Sequence, residues 1–297
     1  MRLFLLTAAA TATVASASIV NPMADYSLIT FQDFRTTSDV EGRMLVGRDL
    51  LGSGTLVKNL PTGNFDGVTV GRDVNGNFNL QAGNLRYGNS RTGSFNFNGG
   101  GVAIQDPGAG SIVPSIEAML RNTSTLMAAL SPNSSVTPLG VQPAGITFTA
   151  SPDANGVAVF SIDASLLSSN LAQSFDIVLN GATDVIINVA GSAANVAGGN
   201  FNGNFNTPAA RSAIIWNFHE ASTINVDRGF SGSILGVDAT LTGNSPIDGS
   251  VAVFSADIHG ELHLPTYGGN FGGVPSPAGS AVLGFAGLIA SRRRRIA

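Results

Sequence analysis

Residues 214–230 read IIWNFHEASTINVDRGF, residues 231–247 read SGSILGVDATLTGNSPI, and residues 248–264 read DGSVAVFSADIHGELHL. Stacked at a shift of 17, these stretches align Phe218 with Leu235 and Ala252, Ile224 with Leu241 and Ile258, and Phe230 with Ile247 and Leu264. Within one copy the apolar positions are five or six residues apart. That spacing predicts a coil of three short sides, each turning a side chain into a shared interior that no single copy could bury alone. A weaker echo in multiples of six runs through Leu50, Leu56, Val68, Val74 and Leu80.

The rest of the chain fits this reading. Short β-prone runs such as Val157–Ile162, Phe175–Leu179 and Asp184–Val189 are separated by glycine and asparagine, residues that tolerate the positive φ of tight turns. The 37 glycines lack a triplet period, and Gly-Asn-Phe recurs at Gly63, Gly76, Gly199, Gly203 and Gly269 at irregular intervals, so neither forms a repeat unit. The expected fold is mainly β, a β-helix (solenoid). A flat sandwich is the alternative, because strands 8–12 residues apart also suit it. One segment has a different period. From Pro114 to Leu130, the positions Ile116, Met119, Leu120, Met127 and Leu130 lie on one face of a helix, with Pro114 in its first turn and Ser131-Pro132-Asn133 as its stop. This one long α-helix is expected to pack alongside the coils, its Met and Leu stripe serving as packing.

Both ends read as addresses. Residues 1–17 have the order of a signal peptide: Arg2, an apolar run from Leu3 to Val14, then Ala15-Ser16-Ala17 as the small-residue cleavage site. Residues 274–297 hold Val274-Pro275-Ser276-Pro277, an apolar run from Ala278 to Ala290 expected to form a short hydrophobic helix, and Arg292, Arg293, Arg294 and Arg295. Thirteen helical residues reach only about 20 Å, short of the roughly 30 Å hydrocarbon core, so spanning needs the flanking residues as well. The arginines would hold that end in the cytoplasm. This order resembles the PEP-CTERM sorting signal of Gram-negative bacteria, in a V-P-x-P variant with Ser276 where that motif has glutamate. The resemblance implies an exosortase-type protease as partner and transient anchoring in the inner membrane. A plain C-terminal anchor or a disordered basic tail are the alternatives. The expected domains are therefore 1–17, 18–273 and 274–297.

Three stretches of the body together resemble the bacterial choice-of-anchor A domain, an ice-binding-like adhesive domain. They are Glu41-Gly42-Arg43 with Val46-Gly47-Arg48-Asp49-Leu50; Trp216-Asn217-Phe218; and Phe230 to Leu235 followed by Asp248-Gly249 and Glu261-Leu262-His263. The order is that of the family, over about residues 25–270. Gly236-Val237-Asp238 stands where Ala-Pro-Asn is common, and Arg48 where a second glycine is common. The resemblance implies a right-handed β-helix with a helix alongside, and an adhesive role at the cell surface or in the extracellular matrix.

Little in the sequence points to catalysis. The absence of cysteine removes thiol nucleophiles and Cys-based zinc sites. There is no G-x-S-x-G elbow, and Gly108-Ala109-Gly110 lacks a dinucleotide-binding setting. The 17-residue stacking puts Asp238 over Ser255, Asp248 beside Ser231 and Asp257 beside Thr240, so no paired carboxylates of a glycosidase or lyase emerge. His259, Glu261 and His263 alternate on one strand face and form a weak metal candidate, beside a structural or capping role. Thr223 and Thr240 stack, but Asp257 would break an ice-binding threonine column. Trp216 is read as core rather than a sugar platform.

Charge narrows the partner. The net charge is −4, but Arg2 and Arg292 to Arg295 lie in the two tags, which leaves ten basic and nineteen acidic residues in the body, a balance of −9. Such a body excludes a nucleic-acid footprint and repels acidic polymers unless divalent cations bridge them. The expected function is a secreted, cell-surface-sorted, non-catalytic adhesive or matrix protein, with exopolysaccharide (neutral or cation-bridged) or another surface as partner and no cofactor. The alternatives are an extracellular carbohydrate-active enzyme on a β-helix and an ice binder.

Overall fold

The computed structural model describes residues 21–274. The expected signal peptide and the tail from Pro275 onward, with Pro277 and the four arginines, lie outside the described residues.

The chain winds into stacked parallel coils with three faces. Face 1 is the longest, a ladder of ten parallel strands. In spatial order it runs through Val157–Asp163, Asp184–Ala190, Ile214–Asn217, the first parts of Ser233–Gly243 and Val251–Ile258, then Leu28–Thr30, Met44–Val46, Asp66–Val70, Asn84–Tyr87 and Ala103–Gln105. Spatial order is therefore not chain order. The N-terminal coils stack beyond the C-terminal ones, at a seam where Leu28 faces Val251, Phe34 faces Ala256 and Val40 bridges Leu262.

This permuted order explains the helix. After Gln105 the chain is at one end of the stack, and its next strands begin at the other. Ten strands separated by about 4.8 Å make a return path of roughly 43 Å. The helix Val113–Ala128 supplies 16 residues, about 24 Å of that distance at 1.5 Å per residue. It buries Val113, Ile116, Leu120, Thr123, Ser124 and Met127 against face 1, while Met119 and Leu130 are only half-buried. The outer side of face 1 is covered further by residues 21–27 and by a closing strap, 265–274. There Asn21 Nδ2 donates to the carbonyls of Tyr267 and Gly269, and Ser250 Oγ donates to that of Met23. The middle of face 1 is consequently buried on both sides and its strands there are almost wholly apolar, as expected for a doubly covered parallel sheet, while Asn84–Tyr87 and Ala103–Gln105 at its end are partly exposed. At the stack's end, Ser135–Val136 pairs antiparallel with Ala144–Thr149, so a hairpin blunts that edge.

The interior is one continuous apolar core. Trp216 is fully buried in it, with the rings of Phe148, Phe201, Phe205 and Phe230 at centroid distances of 5.3–6.0 Å and its Nε1 donating to the Ser231 carbonyl. The 17-residue shift holds for Ile224 on Leu241, Phe230 on Ile247 and Leu235 on Ala252. It fails in two places. Asn217, not Phe218, faces Leu235. After an irregularity between Gly236 and Thr240 the last shift is 15, so Leu241 faces Ala256 rather than Ile258, and Ile247 faces Leu262 rather than Leu264. The irregularity overlaps Gly236-Val237-Asp238, which stands where the domain that the sequence resembles commonly has Ala-Pro-Asn. The weaker echo holds for Leu50 on Val74 and Leu56 on Leu80, whereas Val68 stacks between Met44 and Leu85 on face 1.

Candidate functional site

Face 2 is the ladder of Ala193–Val196, Thr223–Val226, the second parts of Ser233–Gly243 and Val251–Ile258, then Phe34–Thr36 and the first parts of Leu50–Leu56 and Val74–Leu80. Face 3 includes Ala144–Thr149, Ala172–Val178 and Asn200–Phe201, and Phe230–Ser231, Ile247–Asp248 and Leu262–His263. Because side chains alternate across a strand, face 2 presents two outward columns. The shortened shift rearranges them. Thr223 stands beside Thr240, and Thr240 beside Ser255, while Asp257 stands beside Thr242. The second column holds Asn195, Asn225, Thr242 and Asp257. The column therefore continues one coil further than the 17-residue stacking implies, as a hydroxyl and not a threonine, at Ser255. The side chains bond along the stack: Asn225 Nδ2 donates to Asn195 Oδ1 at 3.1 Å, Thr242 Oγ1 donates to Asn225 Oδ1 at 3.0 Å, and Thr240 and Ser255 share a hydroxyl bond of 3.1 Å. Where the stack ends, beneath the short helix Ser165–Ser168, face 2 opens into a cleft of about 530 Å³ lined by Asp163, Ser165, Asn195, Thr223 and Asn225.

Across the seam the first column becomes acidic, which the 214–264 stacking does not anticipate. Asp33, Asp49 and Asp73 precede Phe34, Leu50 and Val74, which face one another on successive coils. Each carboxylate accepts a backbone N–H from the next coil: Asp49 N–H to Asp33 at 3.2 Å, Asp73 N–H to Asp49 at 3.2 Å, Ser90 N–H to Asp73 at 3.0 Å. Arg48 pairs with Asp33, and Arg72 with Asp49 and Asp73. The Ser90 hydroxyl holds the Asp73 carboxyl below its usual range, with help from Asn89 and Arg72. The sequence does carry a signal for this ladder, Val-Gly-Arg-Asp at 46–49 and again at 70–73.

The family-motif residues gather mainly at the seam. Glu41 donates its backbone N–H to the Leu262 carbonyl, and its carboxylate accepts the N–H of Leu264 at 2.8 Å. Gly42 passes so close to the preceding strand that a Cβ would lie 2.0 Å from Ser27 Oγ. Arg43 covers the Tyr26 ring at 4.8 Å and donates to the Asp66 carbonyl. On the opposite side of the seam, His263 stands between two carboxylates, Nδ1 at 2.7 Å from Asp248 and Nε2 at 2.9 Å from Glu261. Gly249 donates its N–H to the His263 carbonyl. Burial alone would lower the His263 pKa, but Glu261 and Asp248 outweigh it and raise it above the ordinary value. Beside them, Lys58 reaches Asp39 at 2.7 Å and Glu261 at 3.8 Å.

This geometry separates the weak metal candidate. His259 turns to Thr37 and Asp257, at 2.7 and 3.3 Å, away from Glu261 and His263. Among the described residues no three His, Asp or Glu side chains form a set able to hold a metal ion. A His263 that donates from both nitrogens to carboxylates has no lone pair left for one.

Trp216 and Phe218 lie in the core, and Asn217 points outward, under the helix. Its Nδ2 donates to the Ser124 carbonyl and to Asn188 Oδ1, both at 2.9 Å, and its Oδ1 accepts from Ser124 Oγ at 2.6 Å. Asn188 Nδ2 in turn donates to the Met127 carbonyl at 2.8 Å. This buried network fixes the helix on the sheet. Sequence reasoning missed Asn188, although an asparagine within the apolar run 184–189 was the available signal. Val274, the first residue of the expected sorting segment, is buried at the end of the closing strap.

A family profile described as "Putative Ice-binding-like adhesive domain" matches residues 19–264. Two solved structures match the chain at low sequence identity. The ice-binding protein of the Antarctic ascomycete Antarctomyces psychrotrophicus shares 12% identity at a TM-score of 0.41, over 82% of this chain and 96% of that one. The DUF3494 domain of Shewanella frigidimarina ice-binding protein 1 shares 13% identity at a TM-score of 0.39, over 82% and 95%. No curated protein matches the chain.

Proposed function

This chain belongs to the ice-binding-like adhesive domain family, and on that premise we propose that it is an exported, non-catalytic adhesive protein that associates with polysaccharide along face 2 of its solenoid. The observation that carries this reading is the pair of outward columns, Thr223-Thr240-Ser255 and Asn195-Asn225-Thr242, which lead into an open cleft at the end of the stack. Hydroxyls and amides both donate and accept, as saccharide hydroxyls require. Each contact is weak and exposed. Affinity comes from repetition along a rigid face and from dense display at a surface. The acidic body favours neutral polymers, or acidic ones bridged by divalent cations.

The absence of catalysis is part of the proposal. The stacked carboxylates Asp33, Asp49 and Asp73 are engaged by backbone N–H groups and arginines, which leaves no free pair at glycosidase spacing among them. The proposal also includes a right-handed coil, cleavage after Ala17, and sorting of a Gram-negative secreted form through Val274-Pro275-Ser276-Pro277 and the arginine cluster by an exosortase-type protease. Among the described residues no helix is long and apolar enough to cross a membrane.

The test is a glycan-binding screen with the purified full chain and with the double variant Thr240→Val, Thr242→Val. Binding that weakens severalfold in the variant supports the reading. Release of reducing or unsaturated sugars overturns its non-catalytic part, and thermal hysteresis favours an ice surface as the ligand. Terminal mass spectrometry of the secreted protein tests the tail; a mature chain still ending in Arg292 to Ala297 overturns processing.

A further inference from the structure

Most basic side chains in this acidic body are committed to carboxylates. Arg48, Lys58, Arg72, Arg86, Arg121 and Arg211 all form ion pairs. Among the described residues Arg35, Arg43, Arg91 and Arg228 have no carboxylate partner. Of these, Arg43 lies over Tyr26, and Arg35 and Arg91 project from the open surface of face 2. Arg228 differs from all three. It is exposed, yet held in place by two hydrogen bonds, Nε to the Ala197 carbonyl at 3.1 Å and Nη1 to Asn200 Oδ1 at 3.0 Å.

The space beside it is a cleft of about 470 Å³ at the corner between faces 2 and 3. Asn170, Gln173 and Asn200 line it with Arg228, above a floor of Gly198 and Gly199. Only glycine fits that floor: a Cβ would lie 2.8 Å from the Leu167 carbonyl oxygen at the first position and 2.5 Å from the Gln173 carbonyl carbon at the second. The nearest acid in sequence, Asp227, does not line the cleft and takes a hydrogen bond from Asn225 at 2.6 Å. The cleft therefore presents a pre-positioned guanidinium with unpaired N–H groups, three primary amides and no carboxylate.

We propose that this cleft is a saccharide subsite that takes a carboxylate-bearing sugar, a uronic acid residue, with Arg228 on the carboxylate and the Asn170, Gln173 and Asn200 amides on the ring hydroxyls. A guanidinium meets a planar carboxylate with two parallel N–H donors, and amides match vicinal hydroxyls as donor and acceptor. The two bonds that hold Arg228 reduce the ordering cost of capture. The inference rests on the polysaccharide reading and refines it: a uronate can be held here directly, without a bridging cation, although the rest of the surface repels it. Added salt should therefore first help binding by screening the body's negative charge, and weaken it only when the local pair is screened as well.

The experiment is calorimetric titration of the full chain, in EDTA, with an oligogalacturonate and with the neutral galactose oligomer of equal length, repeated for Arg228→Gln and Arg228→Lys. The expected results are a preference for the uronate in the wild type, a loss of about ten- to a hundredfold in Arg228→Gln, and a smaller loss in Arg228→Lys, which keeps the charge without the fork. Far-ultraviolet dichroism and the melting temperature should be unchanged in both variants, since the side chain is exposed. Equal binding of both oligomers, no uronate binding, or uronate binding by Arg228→Gln within twofold of wild type each overturns the subsite. If neutral polymers bind in those cases the wider proposal survives; if no polysaccharide binds, both fail.

Discussion

The two halves of the solenoid, divided by the seam, are built to different tolerances. In 28–105 the face-1 strands succeed one another at Leu28, Met44, Val68, Leu85 and Ala103, intervals of 16, 24, 17 and 18 residues. In the other half the intervals from Ala158 to Val185 and from Val185 to Ile214 are 27 and 29, before they fall to 18 from Ile215 to Ser233 and 17 from Ile234 to Val251. The extra residues form corner segments, Ser165–Ser168, Gly203–Asn206 and Pro208–Ala213, and the interior widens to hold the aromatic cluster around Trp216. Tight coils let outward groups satisfy one another from coil to coil, as the aspartate ladder does. Outward groups bond along the long coils as well, Asn225 to Asn195 across 30 residues, but the added corner segments there leave a donor such as Arg228 Nη2 unspent. The tight coils provide rigidity, and the two long coils at one end of the stack provide the places where a ligand can enter.

The largest test of this contrast is in the core. Trp216→Ala removes the ring around which the widened interior packs and leaves the Ser231 carbonyl without its partner. It should cost about 3–5 kcal/mol. Val68→Ala, in the tight half, removes two methyl groups where neighbouring coils can close in, and should cost about 2 kcal/mol. Urea unfolding of both variants decides; equal costs would mean that the two interiors are equally adaptable and that the contrast is only one of chain length.

A second break targets what ties the halves together. The helix returns past the seam and is fastened to the irregular half by Asn217, Asn188 and Ser124. Asn217→Leu keeps the size but leaves Ser124 and Asn188 with buried polar atoms unpaired, at about 2–4 kcal/mol. Hydrogen exchange should then accelerate over 113–128 before it does in the tight coils. Uniform acceleration would show that the helix and the sheet open together.

The same contrast explains what could be read from sequence. Ile224 with Leu241 and Phe230 with Ile247 were legible because each coil repeats the same apolar position, and the helix because its period differs from everything around it. The Trp216 assignment to the core followed from the same logic. The seam was not legible: periodicity says that a strand has an inner side, but not which edge it stacks against, so Leu28 on Val251 has no signature in either segment. The shift of 15 depends on two extra residues between Gly236 and Thr240, which the alignment of apolar residues cannot see. Arg228 is invisible for a related reason, since its partners come from turns 28 to 31 residues away.

A smaller test concerns the seam itself. Because the folded-state pKa of His263 is raised above its ordinary 6.5, its contribution to stability is fully present below about pH 6.5 and is lost as pH rises through the raised value. The urea midpoint of the wild type should fall across that window by less than about 1 kcal/mol, since the side chain is partly exposed and screened. In His263→Gln the fall should disappear. A wild type whose midpoint is flat from pH 6 to 8 would mean that the charge of His263, held between Asp248 and Glu261, does not stabilise its side of the seam.

The smallest expected effect lies at an exposed ion pair between the helix and the coil it crosses. Arg121 on the helix reaches Asp238 at 2.6 Å and Glu117 at 3.1 Å, and Asp238 stands in the very irregularity that changes the shift from 17 to 15. Arg121→Gln should cost about 0.5 kcal/mol, because the pair is exposed. That difference should vanish in about 0.5 M salt, where the screening length is only a few ångströms. If the cost persists at high salt, Arg121 acts by packing its stem over the bulge and not by its charge. The irregular corner would then be fixed by the helix, so the chain's return path would set the register of the coils it crosses.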